Sequence, residues 1–247
     1  MPAISAGARA RRRRRSDAPL RTGASRGWLA WLAAVLALCV LAGVQYHLIV
    51  HRLPYETFYS GDCGIKLLQT QSLVANRWHS LALIYPGEQL DPDHRFVETG
   101  GLVVRKGRVF GSHSQAFAIV SSFPYAWLGY AGLYLVPALS LLGAAFLLWL
   151  FAKRWYGPWR ALLAMVVMAG CTPLLFYGLE FWEHSLAVCI MLAAIALVVT
   201  PGFAASPRRL VVAGALLAVA FAVRPEAACL RSRTAWPVKT NWFDAAS

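Results

Sequence analysis

The chain has 247 residues, of which 58% are hydrophobic and only 14% charged. A soluble domain usually carries about a quarter charged residues, so an ordinary water-soluble globule is excluded. Recurrent apolar runs without strand-like alternation predict membrane helices rather than a barrel.

The formal net charge of +13 is uneven. Residues 1–27 hold Arg9, Arg11 to Arg15, Arg21 and Arg26 against Asp17 alone. Directly before an apolar run, this cluster is read as a cytoplasmic anchor touching anionic lipid, not as a nucleic-acid arm. Five cysteines form neither a disulfide framework nor a CxxC metal spacing. Cys63 is expected to be exposed; Cys39, Cys171 and Cys189 are read as packing residues within spans.

Trp28 to Val50 is the first predicted span, a retained anchor with the N-terminus inside. Residues 51–115 form the first external loop. Within it, Gly61 to Trp78 reads as a helix lying on the membrane surface. Leu67, Leu68, Val74, Ala75 and Trp78 make its apolar face, with Lys66 and Gln69 off it. Asp62 at its start is a natural N-cap. Pro86-Gly87 and Asp91-Pro92-Asp93 are turns. Leu102 to Arg105 and Arg108 to Phe110 suit a short hairpin through Lys106-Gly107. Gln115 to Trp127 reads as a second interfacial or re-entrant helix, because Pro124 and Gly129 oppose a straight span.

The remaining spans are predicted at about Tyr130 to Phe151, Ala161 to Tyr177, Ser185 to Thr200, and Leu210 to Arg224. Lys153, Arg154 and Arg160 mark one cytoplasmic loop, and Arg208 and Arg209 another. The expected fold class is therefore all-α, with about five transmembrane helices and interfacial helices in the first external loop. Residues 28–226 form the transmembrane domain. Residues 227–247 lose the apolar pattern and read as a tail, as if the chain stopped early.

This topology sends Asp62, Glu180, Glu183, His184, Arg224 and Glu226 to the outer face. Glu180 reads as a solvated boundary residue. His184 is open between a local hydrogen bond and a role in the site, and Arg224 between snorkelling and phosphate binding. Trp155, Trp159 and Trp182 read as interfacial belt aromatics. A half-desolvated carboxylate is a usable base, and a guanidinium offers a fork to phosphate.

Three motifs carry a resemblance. They are Gly61-Asp62-x-Gly64-x-Lys66-Leu67-Leu68-Gln69, then Pro173-Leu174-Leu175-x-Tyr177 leading to Trp182-Glu183-His184, then Ala218-x-Ala220-Phe221-x-x-Arg224-Pro225-Glu226. Over Trp28 to Glu226 the chain resembles the GT-C membrane glycosyltransferases, a superfamily that includes protein O-mannosyltransferases and the aminoarabinose transferase of lipid A. The resemblance implies a polyprenyl-phosphate-linked sugar donor within membrane lipid. It implies inverting transfer at the external or periplasmic face of a bacterial inner membrane.

On that resemblance Asp62 is the general base and Glu183 a second acidic position. Arg224 lies near the donor phosphate, and Lys66, His184 and Glu226 contact substrate. A divalent metal ion is an option, with Asp62 and Glu183 as oxygen ligands. The chain departs from the pattern in carrying Cys63 where a second carboxylate is common, and in being shorter than most members. A transporter or flippase subunit is the alternative class; it expects charges near the midplane. An inactive truncated fragment is the third.

Overall fold

The computed structural model describes residues 24–51, 58, 60–97, 101–199 and 206–224. The architecture is helical, with one short hairpin among the described residues. The first helix, α1 (Ala24–His51), and the stretch Tyr130–Tyr156 are long and apolar enough to cross a membrane. The apolar surface of α1 is largely bare: Trp28, Leu32, Leu36 and Val40 are each more than half exposed. Such a surface is unfavourable in water and marks a membrane-associated chain.

After α1 come α2 (Gly61–Ala75), β1 (Leu102–Arg105), β2 (Arg108–Gly111) and α3 (Gln115–Leu128). The strands pair antiparallel in the register Leu102↔Gly111 and Arg105↔Arg108. The turn between them uses positive φ at Lys106 (52°) and Gly107 (69°), as a two-residue hairpin turn requires. α3 contains Pro124 and ends at Gly129, whose φ of 58° suits glycine and redirects the chain. The short α4 (Tyr130–Leu133) and the long α5 (Leu135–Tyr156) follow. A Cβ at Gly132 would collide with the backbone of Pro124 and Tyr125, so the fold of α4 back onto α3 depends on that glycine.

The predicted third span is a broken one. It consists of α6 (Pro158–Gly170) and α7 (Leu174–Leu179), interrupted around Pro173. Thirteen residues of α6 rise only about 20 Å, short of a core of about 30 Å. Proline lacks the N–H that would continue the ladder, and the Thr172 hydroxyl caps the new turn by accepting from Leu174 N at 3.3 Å. The apolar α8 (His184–Val199) and α9 (Pro207–Val223) complete the described elements.

Small residues hold the bundle together. Ala34, Ala144, Ala145, Ala152, Ala161 and Ala169 are buried around Leu141, Trp149 and Met165. They let the backbones of α1, α5 and α6 approach closely, as membrane helices do. At one end of the bundle a second cluster, Leu67, Phe117, Leu133 and Phe181, joins α2, α3 and α4 to the turn before α8. A third, Leu83, Val97 and Val109, packs the loop against the hairpin.

Candidate functional site

The site starts from the cap of α2. Ser60, not Asp62, is the N-cap: its Oγ accepts from Asp62 N at 3.2 Å. Asp62 thus stands in the first turn, where the helix dipole favours a carboxylate, and its side chain remains 57% exposed. The buried face of α2 also differs from the one its apolar residues predict. Leu67 is buried as expected, but Cys63, Lys66, Gln69, Thr70 and Leu73 also point inward and Ala75 is exposed. The helix stops at Ala75, short of the expected Trp78, whose φ of 59° places it past the helix end.

Each inward polar group finds a partner or a reason. Lys66 Nζ lies 2.5 Å from Glu183 Oε2, with the side chains 2% and 10% exposed. Gln69 donates to the His113 carbonyl at 3.2 Å, and Thr70 to the Lys66 carbonyl at 2.8 Å. Bonding beats hydrophobicity here because burying an unpaired charge costs far more than exposing a methyl group.

The other half is the tip between α7 and α8, residues 180–183. Ser185 Oγ donates to the Tyr177 carbonyl at 3.3 Å and closes it. Gln45 of α1 donates to the Gly178 carbonyl at 3.3 Å. A Cβ at Gly178 would meet Leu141 at 2.7 Å and Gln45 at 3.0 Å, so glycine permits this approach. The Lys66–Glu183 pair fastens the tip to α2.

Glu180 is not a solvated boundary residue; it is 3% exposed and its Oε2 has no hydrogen-bond partner. Burial raises its carboxyl above the ordinary value of 4.5, opposed by a hydrogen bond from the Phe181 backbone. Cys63 is likewise buried rather than exposed. Burial, then the nearby Glu180 charge, pushes its thiol up to about 12, with Lys66 pulling the other way. A thiolate nucleophile is thereby disfavoured. His184 stacks on Tyr177, ring centroids 4.2 Å apart, and Trp182 leans on both. Trp182 therefore belongs to this aromatic cluster more than to a belt, whereas Trp155 and Trp159 are about half exposed.

His113 is the residue that sequence reasoning missed. Its Nε2 lies 3.6 Å from Asp62 Oδ1, too long for a hydrogen bond but close enough to attract when the ring is charged. Its position is set by the link Ser112–Ser114. Ser112 N donates to the Gly101 carbonyl at 2.8 Å, and Ser114 Oγ to the Ala222 carbonyl at 2.7 Å. That second bond brings the end of α9 to the same place. Arg224 is two residues further on, half-buried, its N–H donating to Ala220 O at 2.9 Å. The only sequence cue for His113 was a histidine between two serines where a strand hands over to a helix.

Of the predicted site residues, Lys66 and Glu183 are in direct contact. Asp62 lies one helical turn before Lys66 on α2, and Arg224 sits at the α9 end that Ser114 holds. Glu226 lies outside the described residues. Among the described residues, no three His, Cys, Asp or Glu side chains gather as a metal site. Asp62 faces His113, and Glu183 faces an ammonium that would compete with a cation. As arranged, these two carboxylates do not fit a divalent metal. No family model, curated protein or solved structure matches the chain.

Proposed function

We propose that the chain is a membrane glycosyltransferase, or part of one, of the GT-C kind. It crosses a bacterial inner membrane about five times with its N-terminus inside. The donor is a sugar carried on polyprenyl phosphate, and the acceptor hydroxyl arrives from the outer side. Asp62 takes the hydroxyl proton as the oxygen attacks the anomeric carbon from the face opposite the phosphate. The bond from that carbon to the phosphate oxygen breaks, and polyprenyl phosphate leaves. Arg224 stabilises the charge on the leaving phosphate. His113, 3.6 Å away, orients the Asp62 carboxylate by charge attraction when its ring is protonated.

The observation that carries this reading is the joining of the first outer loop to the 180–183 tip through Lys66 and Glu183, with Asp62 left accessible beside them. A base must reach water-borne substrate while its surroundings stay fixed. In this role Lys66 and Glu183 position the base; both are nearly enclosed, which suits support better than substrate contact.

The test is transfer from radiolabelled polyprenyl-phosphate sugars to lipid acceptors in proteoliposomes. Asp62→Asn should lower the rate by about 10²–10⁴, the usual contribution of a general base, with insertion unchanged. Normal transfer by that variant removes Asp62 from the mechanism. Substrate counterflow without chemistry would replace the enzyme with a transporter.

A further inference from the structure

The β1–β2 hairpin has two unlike faces. Val104 and Val109 are a cross-strand pair, and with Leu102 they pack into the cluster of Leu83 and Val97. The opposite face carries the pairs Val103↔Phe110 and Arg105↔Arg108. Two arginines stand directly across from each other, and Lys106 adjoins them in the turn. Like charges directly opposed on a ladder are destabilising, so an anion between them would relieve this arrangement.

The face lines an open groove of about 1210 Å³ whose lining, among the described residues, includes all three cations and no acid. Among the described residues, Glu88 lies by a separate groove past Arg108, and His94 engages it at 3.0 Å. The groove is apolar away from its tip, where Leu81, Val103 and Phe110 line it. Leu81 is 44% exposed. Three residues before it, Trp78 stacks on Phe123 at 5.6 Å, and both rings are exposed. Exposed aromatics of this kind sit at the bilayer interface.

We infer that this face binds the headgroup of an anionic phospholipid of the surrounding bilayer. The phosphate lies between Arg105, Lys106 and Arg108, and the upper acyl chain runs along Val103, Phe110 and Leu81. Charge complementarity selects the headgroup. The apolar floor of Val103, Phe110 and Leu81, with Leu81 three residues along the chain from the stacked Trp78, selects a lipid over a soluble phosphate. The inference rests on the membrane placement of the chain and not on sugar transfer.

The test is hydrogen exchange of the full chain in nanodiscs of phosphatidylglycerol or of phosphatidylcholine, with α1 amides reporting insertion. Amides of residues 101–112 should exchange several-fold more slowly in phosphatidylglycerol. The triple variant Arg105→Gln, Lys106→Gln, Arg108→Gln should lose that difference while matching wild type in phosphatidylcholine. Apparent headgroup affinity should fall on the order of 10²-fold for three such charges. Lys106→Gln alone, which lies in the turn and leaves both strands unaltered, should lose part of it. Equal exchange in the two lipids with α1 protected in both overturns the headgroup site and leaves membrane insertion standing. Equal protection by soluble glycerol phosphate in phosphatidylcholine discs overturns the lipid as its occupant. An unprotected α1 in both lipids overturns the inference together with the membrane placement.

Discussion

The two ends of the helix bundle handle a buried lysine in opposite ways. At the end that carries the 180–183 tip, Lys66 is 2% exposed and an acid from another element meets it. At the other end, Lys153 of α5 is half-buried and lies 4.2 Å from the Trp31 ring centre and 4.3 Å from that of Trp149. A lysine that still reaches water needs only a polarisable face, worth about 0.5–1 kcal/mol at such sites. A fully enclosed one needs a counter-charge, or it would lose its proton. The Lys66 end is thus built from specific polar pairings, and the Lys153 end from aromatic and alanine packing.

Removing one member of the enclosed pair should give the largest effect. Lys66→Ala leaves Glu183 buried without a partner and should cost about 3–5 kcal/mol, read as a drop in thermal midpoint in detergent. The double variant with Glu183→Ala should cost less than the two single changes summed. Additivity would show the two groups to be independent, and the Lys66 end would then resemble the other. Gly132→Ala drives a methyl group into the Pro124 backbone and should cost about 1–3 kcal/mol or more. A neutral result would mean that the α3–α4 turn yields easily.

A pH series on Glu180 sharpens the comparison further. Burial raises the carboxyl above 4.5, so the folded state holds its proton more tightly than the unfolded one. Stability is full below that value and declines as pH rises through the folded one. Glu180→Gln has no proton to lose. It should match the parent near pH 4 and be the more stable of the two at pH 8; parallel pH curves would show that Glu180 does not carry this dependence. The smallest effect should come from Lys153→Gln, about 0.5–1 kcal/mol. A loss as large as that of Lys66→Ala would erase the distinction between the two ends.

Much of the 51–115 loop was legible locally. The hairpin followed from two β-branched runs around Lys106-Gly107, and α3 from Pro124 and Gly129, because turn residues and proline act through their own φ angles. The face of α2 was not legible. Lys66 and Gln69 look solvent-directed until Glu183 and the His113 carbonyl are known, and both partners come from distant sequence. Glu180 and Cys63 were misplaced for the same reason: exposure depends on what packs over a residue. The break in the third span had its signal in Pro173, but a proline near a span end does not say whether the helix bends or stops.

By itself, the sequence determined the helical class, the apolar character of the long helices and the turn chemistry, since these depend on composition and on a few residues' backbone preferences. Only the tertiary structure decided that Lys66 meets Glu183, that His113 faces Asp62 and that Ser114 ties in the end of α9. Those contacts join residues 51 to 117 positions apart, and no local preference encodes a partner at that range.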